Sequence, residues 1–80
     1  MKSVRVRYFA ILREQRGLAE ERLETGALTA GEIYAELSAR HGFTLPPERL
    51  RAALNDEFAP WGATVREGDI LAFIPPVAGG

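Results

Sequence analysis

The sequence predicts an α+β fold, a mixed sheet of about five strands with one main helix packed across it. Three observations carry this. Val4, Val6 and Tyr8 alternate with Arg5, Arg7 and Phe9 at period two, the mark of a half-buried strand. A capped apolar stripe at helical spacing occupies residues 30–41. The run Ile70-Leu71-Ala72-Phe73-Ile74 is continuously apolar and of strand length, so it reads as central and buried on at least one face.

The elements follow in order. After the first strand, Ala10 to Gln15 holds good helix formers and stops near Gly17, predicting a short helix. Residues 18–25 are polar apart from Ala19 and Leu23 and predict an edge strand paired back onto the first. Thr29-Ala30-Gly31-Glu32 fits a capping box, with Leu28 and Ile33 placed for a hydrophobic staple. Ile33, Tyr34 and Leu37 form the buried stripe of the helix, and Gly42 stops it. Pro46-Pro47 breaks the chain, and Glu48 to Arg51 predicts one helical turn. Leu50, Ala52 and Leu54 then lead into a turn at Asn55-Asp56, from which Glu57-Phe58-Ala59 returns as a short strand. Thr64-Val65 is a further extended piece, and Glu67-Gly68-Asp69 is a turn before the final strand. The first and last strands are expected side by side and parallel in the middle of the sheet.

Eighty residues fit one domain, residues 1–80, with 75–80 as a flexible tail. Ten basic and eleven acidic side chains give a net charge of -1, which lacks the basic footprint of a nucleic-acid binder. Cysteine is absent, which excludes disulfides, thiolate metal sites and a cysteine nucleophile. A single histidine, His41, is too little for an all-nitrogen zinc site, so no metal is expected. His41 itself reads as a charge complementing the helix C-terminus. No apolar run approaches membrane-spanning length and no signal-peptide core is visible, so no membrane partner and a cytoplasmic location are expected.

The chemistry concentrates at Val77-Ala78-Gly79-Gly80. This segment follows directly on the most buried-looking strand, and Pro75-Pro76 stiffens its exit. Gly79 and Gly80 carry no Cβ, so a carboxyl at Gly80 is sterically open. From Val77 such a tail reaches about 13–14 Å when extended, enough to enter another protein's active site. An α-carboxyl is ionised at pH 7 and attacks phosphorus without a base. It donates its acyl group only after activation, and no phosphate-binding loop exists in the chain to hold ATP. Activation therefore falls to a partner.

Three segments carry a family resemblance: Val6-Arg7-Tyr8-Phe9-Ala10-Ile11-Leu12-Arg13-Glu14, Ala53-Leu54-Asn55, and Glu67-Gly68-Asp69 continued by Phe73-Ile74-Pro75-Pro76-Val77-Ala78-Gly79-Gly80. The chain resembles the MoaD/ThiS group of ubiquitin-like sulfur carriers, and within it the molybdopterin synthase small subunits. The resemblance implies a β-grasp fold, and it implies that Gly80 is adenylated by an E1-like adenylyltransferase using ATP. A sulfur donor protein then converts it to a thiocarboxylate, with no cofactor resident in the carrier. It implies delivery of that sulfur to a cyclic pyranopterin held by the large synthase subunit, in a heterotetramer whose catalytic side chains belong to the large subunit. It also implies a partner interface at Phe9, Arg13, Phe58, Ile74, Pro75 and Pro76. If the first and last strands are neighbours, Phe9 and Ile74 share the outward face, opposite Val4, Val6, Tyr8, Leu71 and Phe73. Carriage in thiamine, cysteine or tRNA thiolation, and modification of protein lysines, are the competing functions; a plain interaction module fits the open Gly-Gly end less well.

Overall fold

Alternation along β1 (Lys2–Tyr8) sends Val4, Val6 and Tyr8 into the core and turns Arg5 and Arg7 outward. The structure is a computed structural model and describes residues 1–76; Val77, Ala78, Gly79 and Gly80 lie outside the described residues. After β1 come α1 (Ile11–Arg16), β2 (Glu20–Thr25), α2 (Ala30–His41), a 3₁₀ turn (Pro47–Arg49), β3 (Arg51–Leu54), β4 (Glu57–Ala59) and β5 (Ile70–Ile74). The five strands form one sheet in the order β2-β1-β5-β3-β4. β1 and β5 are parallel neighbours at its centre, and the other pairings are antiparallel. Together with α2 this is the β-grasp arrangement.

The core lies on the α2 side of the sheet. Ile33, Tyr34 and Leu37 of α2 pack against Val4, Val6, Tyr8, Leu71 and Phe73, with Leu12 and Val65 closing the ends. The capping box forms in full: Thr29 Oγ1 accepts from Glu32 N–H, and Glu32 Oε1 accepts from Thr29 N–H. Gly42 ends α2 at φ 70°, a conformation that costs a residue with a Cβ. Trp61 folds onto the core and stacks on Phe73 with ring centroids 6.0 Å apart. Gly31 lets the two chain segments approach closely, since a Cβ there would meet the Trp61 carbonyl oxygen at 3.3 Å, a tight contact that a small shift would have to relieve.

Several expectations are corrected. Leu28 is 63% exposed, so the staple does not form; its N–H instead donates to Glu32 Oε1, which leaves the side chain outside. In β2 the second buried position is Thr25 rather than Ala19, because β2 starts only at Glu20. Burial of Thr25 is possible since its hydroxyl donates to Glu36 of α2 and accepts from Ala27 N–H. The short helix runs Ile11–Arg16, one residue later than expected, because Ala10 takes a glycine-like conformation (φ 52°, ψ -126°) that turns the chain right after Phe9. The helical turn near Glu48 ends at Arg49, and Arg51 already belongs to β3. Thr64 makes one bridge to Thr29 in place of a strand. Among the described residues no helix is long and apolar enough to cross a membrane.

Candidate functional site

The sheet's other face is not covered by α2, and its register builds a hollow there. Glu20, Arg7, Ala72, Ala53 and Phe58 are successive cross-strand partners on β2, β1, β5, β3 and β4. The two alanines in the middle of that row are too short to fill the space between Arg7 and Phe58. Ile70 and Ile74 flank Ala72 along β5, and Phe9 stands beyond the end of β1. The result is a groove of about 180 Å³ lined by Arg7, Phe9, Ala53, Phe58, Ala72 and Ile74, with Ile70 and Asp56 at its rim. That is below the roughly 300–1,000 Å³ of a small-molecule pocket, so its size suits one or two side chains of another protein. Phe9 and Phe58 are 44% and 62% exposed, large apolar groups left in water on one small face.

The hairpin that carries Phe58 is rigid. Asn55 and Asp56 both have positive φ (52° and 71°), the two-residue turn that matches strand twist. Asn55 then ties the turn to β5: its Oδ1 accepts from Ile70 N–H and its Nδ2 donates to Asp69. These contacts hold the Asp69 carboxyl below the usual carboxylate range, with Asn55 the larger cause and Arg66 N–H the next. The Arg51 guanidinium lies 4.2 Å from the centre of the Phe58 ring and pins it from the tail side. A second hollow, lined by Arg49, Arg51, Phe58, Ile74, Pro75 and Pro76, continues the groove to the root of the tail.

At the opposite end, Phe9 is positioned by a polar lock. Tyr8 donates to Glu21 Oε2 at 2.5 Å, while Arg16 at the end of α1 donates to both Glu21 oxygens at 2.9 and 2.8 Å. Arg16 and then Tyr8 hold the Glu21 carboxyl below its ordinary value despite partial burial. Burial foremost, then Glu21, raises the Tyr8 hydroxyl above its ordinary value. The lock fastens α1 to β1 and β2 on either side of the turn that projects Phe9.

Of the residues expected at the interface, Phe9, Phe58 and Ile74 come together in the groove, and Pro75 and Pro76 adjoin it. Arg13 does not join them: it lines a separate shallow hollow with Ala10, Glu14, Gly17, Leu18 and Ala19. Val77, Ala78, Gly79 and Gly80 are outside the described residues. His41 lies in the last turn of α2, where its ring packs beside Phe43; burial first, then Arg16 and Arg40, lower its pKa, and Glu21 opposes them. Among the described residues no three His, Asp or Glu side chains gather as metal ligands. Sequence reading passed over Ala53, Ala72, Arg51 and the groove role of Arg7; the alternation of β1 signalled that Arg7 faces outward, but only the strand order brings it opposite Ala72.

Comparison with known proteins agrees with the fold. The ThiS family model matches residues 6–80, from β1 through the Gly-Gly end. The chain belongs to the ThiS family. A molybdopterin synthase sulfur carrier subunit of Haemophilus influenzae is 33% identical over 78 residues, covering 94% of this chain and 96% of that protein. Among solved structures, a chain of the BexX/CysO complex of Amycolatopsis orientalis superposes with TM-score 0.70 at 30% identity, over 96% of this chain and 99% of its own. A chain of the protein–protein complex of subunits 1 and 2 of the molybdopterin-converting factor from Helicobacter pylori superposes with TM-score 0.69 at 26% identity, over 98% and 99%. Both of these solved chains come from complexes with a second protein.

Proposed function

We propose that this ThiS-family chain is the sulfur carrier of a molybdopterin synthase, docking on the large subunit through the groove of Phe9, Phe58 and Ile74 and delivering sulfur from Gly80. The observation that supports the reading is the continuity of the groove with Pro75-Pro76, the residues that lead into the Gly-Gly segment. The 33% identity to a molybdopterin synthase sulfur carrier subunit supports the choice of pathway. In the first step a Gly80 carboxylate oxygen attacks the α-phosphorus of ATP on an E1-like adenylyltransferase, and pyrophosphate leaves. Hydrosulfide supplied by a donor protein then attacks the activated carbonyl, expels AMP and loses its proton, leaving a thiocarboxylate. On the large subunit that sulfur bonds the pyranopterin precursor, and water cleaves the acyl–sulfur bond, returning the Gly80 carboxylate. The carrier's own side chains position the tail and the partner and take no part in bond making.

Incubation with the E1-like enzyme, ATP and a sulfur donor should add to the protein the mass of one sulfur less one oxygen, read by intact-mass spectrometry. Deleting Gly80 should abolish both that gain and dithiolene synthesis while leaving large-subunit binding in place. Pterin sulfuration at the normal rate by the deletion variant would sink the carrier mechanism. The 30% identity to a chain of the BexX/CysO complex favours a second reading, a carrier serving another sulfur acceptor. Co-purification with a partner other than a large synthase subunit would decide for it, and Gly-Gly remnants on cellular lysines would decide for a protein modifier.

A further inference from the structure

Arg7 is out of place in a purely apolar groove. Its stem lines the hollow between Phe9 and Ala72, and its side chain is 39% exposed. Two carboxylates approach the guanidinium, Glu20 at 3.9 Å from Nε and Asp56 at 3.9 Å from an outer nitrogen. Both distances exceed a hydrogen bond. The Nε atom is buried, and among the described residues it meets no acceptor. Glu20 is shared with Arg5, at 3.4 Å, and Asp56 is 85% exposed at the tip of the rigid β3–β4 turn. Neither is placed to close on Arg7 without leaving its present position.

With the Arg7 side chain 39% exposed, its outer nitrogens are open to water in the free protein. A protein seated on Phe9, Phe58 and Ile74 expels that water, and a desolvated guanidinium with incomplete partners opposes binding strongly. Binding through this face is favourable only if the newcomer brings an acceptor. We infer that the groove is built for a partner segment presenting a carboxylate among apolar side chains, and that Arg7 is its specificity-determining anchor. The apolar side chains of that segment fill the hollow over Ala53 and Ala72. The carboxylate bonds two guanidinium nitrogens in the fork geometry that a lysine cannot reproduce. Glu20 and Asp56 act against it, since they present like charge to the incoming acid. This rests on the proposed docking to a large synthase subunit and adds the chemistry of the contact.

The test uses the full chain and the purified large subunit of its own synthase, titrated calorimetrically at low and high salt. Arg7→Leu should weaken binding at least tenfold and remove most of the salt dependence, and Arg7→Lys should recover only part of the affinity. The double variant Glu20→Gln, Asp56→Asn should bind as tightly as the native chain or a few-fold more tightly. Arg40→Leu, on α2 across the sheet from the groove, should change nothing, and circular dichroism checks that each variant is folded. If the folded Arg7→Leu variant binds as well as the native chain, or if the double variant loses as much affinity as Arg7→Leu, the acidic-partner inference fails while the docking face stands. If the native chain does not bind the large subunit at all, the synthase reading itself fails and this inference with it.

Discussion

The two faces of one sheet use the same strands for opposite ends. On the α2 side, Val4, Val6, Tyr8, Leu71 and Phe73 are covered by the chain's own helix and lose nearly all contact with water. On the other side, the intervening positions of β1, β5 and β3 are Arg5, Arg7, Ile70, Ala72, Ile74, Arg51 and Ala53, a mixture of charge, small residues and bulky apolar rims. The first face is full and the second is hollowed. The lesson is that the apolar side chains of this sheet are covered where α2 meets them, while on the other face the large ones, Phe9 and Phe58, stay exposed around a hollow.

The contrast can be broken from either side. Phe73→Ala empties a fully buried ring site against Tyr34 and Trp61 and should cost about 3–5 kcal/mol in urea unfolding. Phe9→Asp and Ile74→Asp should each shift that unfolding free energy by about 1 kcal/mol or less. The same two variants should weaken large-subunit binding roughly 30-fold or more, as expected for central apolar anchors. If they unfold the protein as Phe73→Ala does, the outer face is core and the division fails. Thr29→Ala removes one half of the capping box at the start of α2 and should cost about 1 kcal/mol without altering partner binding.

The smallest effect sharpens the comparison at the Tyr8–Glu21–Arg16 lock. Glu21 has its folded pKa below the unfolded value, which is about 4.3. The folded state therefore binds its proton less readily, so the stabilisation is complete above that unfolded value and is lost as pH falls through the folded one. The urea midpoint should fall as the pH is lowered through and below the unfolded value, and Glu21→Gln should flatten that fall. An unchanged pH profile in Glu21→Gln would show that the lock contributes nothing to holding α1.

Much of this was legible in the sequence, and the reasons differ by region. The period of β1, the capping box of α2 and the continuous run of β5 are local signals, and each element formed where its pattern lay. The shared outward face of Phe9 and Ile74 followed once β1 and β5 were placed together. Leu28 escaped because a staple depends on whether an apolar neighbour arrives, and here Glu32 turned the backbone instead. The groove row itself needs the order β2-β1-β5-β3-β4: nothing local to Arg7 says that Ala72, Ala53 and Phe58 will line up beside it.

The parallel pairing of β1 with β5 also sets an order in time. The middle of the sheet joins the earliest-made strand to the last, across more than sixty intervening residues, Arg5 to Ile70. Hairpins β1–β2 and β3–β4 can form as soon as each is synthesised, yet they stay separate until β5 arrives between β1 and β3. Contacts this distant in sequence form late, because the long loop must close before they stabilise anything. Partial chains made during synthesis thus have neither a closed core nor a groove. The groove comes into being only with the strand that leads into Pro75-Pro76, so it is the last feature of the sheet to form.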